Sequence, residues 1–283
     1  MPDHLTLYCA GYGYSAAALA ERLIPQGWRV LGTTSNEDKQ RQMAAIGAEA
    51  VAWPPRAEDL AQATHLLVSA GPSEAGEPTL NAARDLIEAA EFQWVGYLST
   101  TGVYGDHQGG WVDEDTALTP ATKRGELRVM AETAWRELDL PLHIFRLAGI
   151  YGPGRGPFSK VRKGTARRIL KPNQVFSRIH RDDIASALEA SIAQPNPVRA
   201  YNLCDDMAAP PQDVIAYAAE LLGVAPPPLT PIEDVEMSPM AASFYAESKR
   251  VSNTRLREEL GVDLKYPTYR EGLQATLKEE TGG

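Results

Sequence analysis

Residues 11–16 read GYGYSA, set between a largely apolar run, LTLYCA (5–10), and the alanine- and leucine-rich segment SAAALAERLI (15–24). Ala16, Leu19, Ala20 and Leu23 fall at i, i+3, i+4 and i+7, one face of a helix. The run before them has the texture of a strand buried on both faces. Strand, glycine turn and helix within two dozen residues restrict what the chain can build. In G-x-G-x-x-A the first glycine permits a tight turn and the second lets backbone approach an anion. The small third residue keeps helix and strand close.

The texture repeats. WRVLGTT (28–34), HLLVSAG (65–71), WVGYLST (94–100) and LHIFRLA (142–148) are further apolar runs, separated by stretches of helical length. This spacing predicts βαβ units: an α/β fold with a doubly wound parallel sheet, helices on both faces, and a smaller C-terminal lobe. The expected division is 1–150 for the sheet domain and 151–283 mainly for the lobe, with 179–205 returning to the sheet domain. YNLCDD (201–206) reads as a further strand, 212–222 as a helix, and VAPPPLTP (224–231) as a proline-rich connector.

The net charge of −9 argues against nucleic acid and anionic membrane as partners. An anionic small molecule then needs a local basic site. Two cysteines, Cys9 and Cys204, offer neither a disulfide framework nor metal-ligand spacing, and point to a reducing compartment. The first residues lack a basic leader pattern, and no stretch approaches 18 apolar residues. The expectation is a cytoplasmic protein with a small-molecule substrate, no metal, and a homodimer as its simplest assembly.

The glycine turn implies a dinucleotide held by Gly11, Gly13, Tyr14 and Ser15, with its pyrophosphate at a helix N-terminus. Ala70 and Gly71, closing the run 65–71, belong to the same expected wall. An NAD site would place an acid at the end of the second strand, against the ribose 2′-hydroxyl. Thr33, Thr34 and Ser35 stand there instead, with Glu37 and Asp38 following. Small hydroxyls can donate to a 2′-phosphate, and Lys39 and Arg41 are near in sequence. NADP is therefore expected, with NAD second.

YLSTTGVYGD (97–106), IYGPG (150–154) and RIHRDDIA (178–185), taken with GYGYSA, carry a resemblance. The chain resembles the extended short-chain dehydrogenase/reductase family, which contains nucleotide-sugar epimerases and dehydratases. The resemblance implies a Rossmann domain binding NAD(P). It implies a catalytic hydroxyl at Thr100, five residues before the glycine of VYG. It also implies a Tyr-x-x-x-Lys pair on the next helix, with a glutamate four residues beyond the lysine. Counting back from Glu132 sets Arg128 at the lysine position and Arg124 at the tyrosine position. No Tyr-x-x-x-Lys occurs between 97 and 145.

That substitution alters the chemistry. Arginine stays protonated, so Arg124 can polarise an oxygen but cannot accept a proton. Arg128 can still perform the lysine's electrostatic work. The alternative is a solvated stripe with Arg128 paired to Glu132. Tyr104 and His180 are the candidates for moving a proton, and Asp183 is expected to cap a helix beginning near Ile184.

YGPGRGPFSKVRKGTARR (151–168) carries Arg155, Lys160, Arg162, Lys163, Arg167 and Arg168 without an acid. It follows a strand at the edge where doubly wound sheets bind ligands. Arg155, Arg178 and His180 are the expected substrate-binding residues. The resemblance implies a diphosphate-binding arginine four residues before His180, but Phe176 stands there, which disfavours a UDP-sugar. Val251, Leu256 and Leu260, in SKRVSNTRLREELG (248–261), read as core. The expected activity is an NADP-dependent oxidoreductase or epimerase-like reaction on a small polar, anionic substrate. The alternative is a dinucleotide-binding sensor or scaffold without redox activity.

Overall fold

The computed structural model describes residues 5–282; the stretch examined for a leader begins in residues 1–4, outside them. The five apolar runs form strands β1 (Thr6–Ala10), β2 (Arg29–Thr33), β4 (His65–Val68), β5 (Trp94–Thr100) and β7 (Leu142–Leu147). A short edge strand, β3 (Glu49–Val51), has exposed or half-buried side chains and no apolar run to mark it. With β11 (Ala200–Leu203) these make one seven-stranded sheet in the order β11-β7-β5-β4-β1-β2-β3. Every pairing in it is parallel. The fold is therefore a doubly wound, Rossmann-type α/β sheet.

Alternation along the strands divides the core. Leu7, Cys9, Leu67 and Phe145 pack on one face, towards α1 (Tyr14–Leu23) and α7 (Arg181–Ala193). Tyr8, Ala10, Val68, Val95 and Ile144 pack on the other, towards α4 (Pro78–Glu88) and α5 (Lys123–Arg136). Both faces are covered, so apolar content along each strand is nearly continuous. Helix α2 (Glu37–Ile46) contributes only Met43 to the buried core, and α3 (Ala57–Leu60) is a single turn.

Beyond the sheet, Tyr151, Phe158, Val161, Val214, Tyr217, Tyr269 and Leu273 form a third apolar cluster. It joins α6 (Phe158–Arg162), α8 (Pro211–Leu221) and α11 (Tyr269–Thr281) into the smaller lobe. Three further two-stranded pairs, all parallel, lie outside the central sheet. Trp111–Val112 (β6) pairs with Arg250–Val251 (β13), Gly149–Tyr151 (β8) with Arg178–His180 (β10), and Arg168–Leu170 (β9) with Leu229–Pro231 (β12). The proline-rich segment read as a connector thus ends in a strand, because Thr230 supplies ladder groups between two positions that Pro228 and Pro231 leave to an edge. Two short helices remain, α9 (Pro239–Tyr245) and α10 (Thr254–Leu260), and α10 buries Leu256 and Leu260. No helix of the described residues is long and apolar enough to cross a membrane.

The helix expected near Ile184 begins at Arg181. Asp183 does not cap it. His180 does, its Nδ1 accepting the Asp182 N–H at 3.2 Å. Asp183, fully buried, instead accepts the backbone N–H groups of Lys265 (2.7 Å) and Tyr266 (3.3 Å), tying α7 to the chain before α11.

Candidate functional site

The glycine turn lies at the carboxyl end of β1. Gly11 has φ +89°, which a side chain would strain, and its N–H donates to Thr33 Oγ1 at 2.7 Å. Its carbonyl accepts from Ser69 Oγ, so three strand ends are drawn together. Gly13 precedes α1, and no side chain caps that helix. A Cβ added at Gly13 would meet only Ser69 Oγ, at 3.7 Å, an ordinary contact. The ground in front of α1 is open, and the first N–H groups of the helix face it, a cradle suited to a pyrophosphate. Ala16 is fully buried, and Ser15 is buried beside it. Tyr14 donates to the Pro153 carbonyl at 2.9 Å, and its ring lies between the guanidinium groups of Arg155 and Arg181 at 5.6 and 5.2 Å. The residues present therefore fit a dinucleotide.

At the end of β2 the three hydroxyls part company. Thr33 is buried and holds the turn, accepting from Gly11 and donating to the Cys9 carbonyl at 3.5 Å. It has nothing left for a 2′-phosphate, a correction to its expected share. Thr34 Oγ1 accepts the Asn36 N–H at 3.2 Å and keeps its own proton to donate, and Ser35 is exposed. Arg41 is paired with Asp38 rather than turned to the cofactor edge.

Helix α5 starts at Thr122, whose hydroxyl accepts the Gly125 N–H at 3.2 Å. A Cβ at Gly125 would stand 2.8 Å from the Gly102 carbonyl oxygen, so this glycine lets α5 press on the turn Thr101–Tyr104 that follows β5. Arg128 Nη1 donates to the Leu98 carbonyl (2.7 Å) and to Tyr97 Oη (3.1 Å), with its guanidinium 5.7 Å from the Tyr97 ring centroid. Its Nη2 lies 3.5 Å from where a Gly71 side chain would begin. Arg128 therefore spans from β5 to the loop after β4, beside the glycine turn. It does not pair with Glu132, so the solvated stripe is not formed.

Glu132 turns inward to Arg146 of β7, with contacts of 2.8 and 3.2 Å, both side chains almost fully buried. It also accepts from Ser99 Oγ, next to Thr100. In the sequence, the signal for this pair is an arginine inside the apolar run LHIFRLA, which requires a buried counter-charge.

Tyr104 belongs to this same network. It is fully buried, donates to Asn202 Oδ1 at 2.7 Å and accepts from Arg146 Nη1 at 2.9 Å. Burial pushes its phenol up to about 12. With both lone pair and proton engaged inside the protein, Tyr104 is a packing residue, not a proton carrier for a substrate. His180 is corrected likewise. It is buried, caps α7, faces Thr276 through Nε2 at 3.3 Å, and lies edge-on to Tyr151 and Tyr266. Burial lowers it to about 4, so it is neutral and structural.

Between sheet and lobe opens a cavity of about 760 Å³. Thr100, Thr101, Thr122 and Arg124 line one part, from β5 and α5; Ala148, Gly149 and Ile150 line the part after β7. The lobe adds Phe176, Arg178, Phe244, Tyr245 and Tyr269. Among the described residues its lining carries five cationic side chains (Arg124, Lys160, Arg167, Arg178, Lys249) against two carboxylates, Glu236 and Glu247. In a chain of net charge −9 this is a local reversal of sign. Arg124 is exposed, with its guanidinium 5.5 Å from the Phe244 ring centroid. Desolvation and the charges of Arg128 and Arg155 lower its pKa, leaving it a cation in need of an anion.

The basic run 151–168 divides. Lys160 and Arg167 reach the cavity lining. Arg162 pairs with Glu280 at 2.7 Å, and Arg168 donates to backbone carbonyls of the lobe. Arg155, expected at the substrate, stacks on Tyr14 at the dinucleotide turn. Lys249, read only as part of a closing segment, is buried and donates to Glu247 (2.6 Å) and the Gly105 carbonyl (2.7 Å). Among the described residues no His, Cys, Asp and Glu cluster is arranged to hold a metal.

No family model matches this chain. It is 57% identical to a functionally unknown conserved protein from Silicibacter pomeroyi DSS, over 97% of this chain and 98% of that one, with a TM-score of 0.93. The chain belongs to that protein's family. Protein YeeZ of Escherichia coli (strain K12) is 29% identical over 276 residues, covering 91% of this chain and 94% of YeeZ. A candidate NAD-dependent epimerase/dehydratase from Methylobacillus flagellatus is 27% identical, with a TM-score of 0.72 over 98% of this chain and 99% of its own. The structural neighbours of this family are thus Rossmann proteins of the NAD-dependent epimerase/dehydratase type.

Proposed function

We propose that the chain is an NADP-dependent oxidoreductase or epimerase-like enzyme acting on a small polar, anionic substrate. One observation carries the reading: Thr100 and Arg124 line one cavity whose walls are cationic in an acidic protein. Bound at that turn, a nicotinamide dinucleotide supplies hydride transfer. The chain's own residues do the rest. Gly11, Gly13, Tyr14 and Ser15 would hold the dinucleotide's pyrophosphate side, with Ala70 and Gly71 as the facing wall and Arg128 as a charged donor to it. Thr100 Oγ1 accepts the Gly102 N–H at 3.2 Å, so its proton is free to be donated to a substrate oxygen. Arg124 adds positive charge at that oxygen and stabilises negative charge developing there. Thr34 and Ser35 favour a 2′-phosphate over a bare ribose.

The absence of a phenol at position 124, with Tyr104 sealed in the core, supports a second reading as a dinucleotide-binding sensor without redox turnover. One measurement tests the cofactor and a second separates these readings. NADPH is expected to raise Tm more than NADH at equal concentration, since a ligand of the native state stabilises by RT ln(1 + [L]/Kd). Ser35→Asp is expected to erase that preference; equal shifts in the unaltered protein overturn the NADP assignment. Oxidation of bound NADPH by carboxylate- or phosphate-bearing aldehydes and ketones supports the enzyme, and none across the panel supports the sensor.

A further inference from the structure

Some arginines inside this fold are matched by carboxylates, as Arg146 is by Glu132 and Arg255 by Asp115. Arg178 is not. It sits half-buried on the cavity wall, at the start of β10, and no carboxylate among the described residues forms an ion pair with it. Its Nη1 donates to the carbonyls of Phe176 (2.8 Å) and Ala209 (3.1 Å), which fix the guanidinium and leave Nε and Nη2 without a protein acceptor. Desolvation lowers its pKa, as expected of a cation short of a partner. Asp205 is the acid whose charge it feels most, but that carboxyl is itself buried with Oδ2 unpartnered, and burial raises it to about 8. At neutral pH Asp205 is mostly protonated and neutralises little.

The surroundings of Arg178 are donors. Tyr245 and Tyr269 line the same cavity; burial raises the pKa of each, against a smaller opposing pull from the charge of Arg178, so both stay protonated donors. Among the described residues neither hydroxyl has a hydrogen-bond partner, and neither is among the sealed, unpartnered side-chain atoms, so both are open to a ligand. The Phe176 ring, 6.0 Å from the guanidinium and edge-on to Tyr245, supplies an apolar floor. A desolvated cation without a counter-ion is costly, and the cost is offset when an anion binds it.

We propose that Arg178, with the hydroxyls of Tyr245 and Tyr269, forms a subsite for a terminal oxyanion of the substrate, a carboxylate or a phosphate monoester. This oxyanion is a second group, separate from the oxygen addressed by Thr100 and Arg124. The proposal rests on the reading of the cavity as a substrate site. It assigns that substrate a charged end recognised by the lobe as well as a reacting end recognised by the sheet domain.

The test titrates inorganic phosphate and benzoate into the full chain, its Arg178→Met, Tyr245→Phe/Tyr269→Phe and Arg124→Ala variants, each with and without saturating NADPH. Heats of binding and Tm are read together. The subsite predicts that Arg178→Met weakens one or both probes at least about tenfold, that the tyrosine pair weakens them severalfold, and that Arg124→Ala weakens them less than Arg178→Met does. The probe that responds more distinguishes phosphate from carboxylate. Should Arg178→Met fail to fold, the tyrosine variant decides by the same measure. Undiminished binding to Arg178→Met, loss in Arg124→Ala alone, or no binding of either probe to the unaltered chain overturns the subsite. Loss of the NADPH shift in every protein, with the Arg178 effect intact, would instead sink the nicotinamide reading and leave the subsite standing.

Discussion

Arg128 and Gly13 do opposite things for a cofactor, and each makes a residue-scale prediction. Gly13 contributes by what it lacks. Its Cβ has room inside the protein, with Ser69 Oγ at 3.7 Å as its nearest neighbour, and a larger side chain extends over the helix N-terminus where a pyrophosphate would lie. Gly13→Val is expected to leave the urea midpoint nearly unchanged while abolishing dinucleotide binding by calorimetry. Wild-type affinity in that variant would refute the cradle. Arg128 contributes charge beside Gly71, and Arg128→Ala is expected to weaken cofactor binding by about 1.5–3 kcal/mol, the range for a hydrogen bond to a charged group. Arg124→Ala, facing the cavity, should leave cofactor affinity as it is. If the two alanine variants lose affinity equally, the division of labour between them is wrong.

At the scale of elements, α5 is held to the sheet by a buried charge pair. Glu132 and Arg146 join α5 to β7, and Ser99 and Tyr104 extend the same network to β5 and the turn behind it. The pair anchors the helix that carries Arg128 one turn earlier and Arg124 two turns earlier. Removing one partner leaves the other as an uncompensated buried charge, at about 3–5 kcal/mol. Glu132→Gln should therefore lower the unfolding free energy by an amount in that range. Glu132→Leu with Arg146→Met should cost less than the sum of the two single changes, because neither charge is then left alone. A fully additive double variant would mean the two side chains do not act as a unit.

The whole molecule carries its pH dependence in buried histidines and aspartates. His65, His143 and His180 are buried, and burial lowers each to about 4 from an ordinary 6.5. Each stays neutral in the fold while the unfolded chain takes up a proton, so the histidine contribution is lost as pH falls from 6.5 towards 4. Asp183 and Asp205 act in the opposite sense. Burial raises them to about 6 and about 8, so they bind protons in the fold that the unfolded chain releases, and their cost shrinks as pH falls. His65→Phe isolates one histidine from this balance. Its stability relative to wild type should improve by about 1.4 kcal/mol per pH unit between 6.5 and 4, measured by urea unfolding. Parallel curves for the two proteins would show that His65 is not held neutral.

The alternation of strands and helices and the turn after the first strand are local in origin. An apolar run, two glycines and an amphipathic helix are properties of consecutive residues, and they sufficed to write down a doubly wound fold and the place of its dinucleotide turn. The roles of single polar side chains were a different matter. Tyr104 and His180 read as reactive because their residue types are, but their fates depend on Asn202, Arg146, Thr276 and Tyr266, none of which is near in sequence. Arg124 and Arg128 share one helix face, yet one turns to Phe244 of the lobe and the other to Leu98 of the sheet. The sign of the cavity, the missing counter-ion of Arg178 and the burial of Lys249 exist only once β10, α9 and α11 meet the sheet domain. Local spacing determines which elements form, because backbone hydrogen bonding and side-chain period act over a few residues. Charge, solvation and proton affinity were decided by the tertiary structure, because each depends on what lies within a few ångströms in space, whatever its position along the chain.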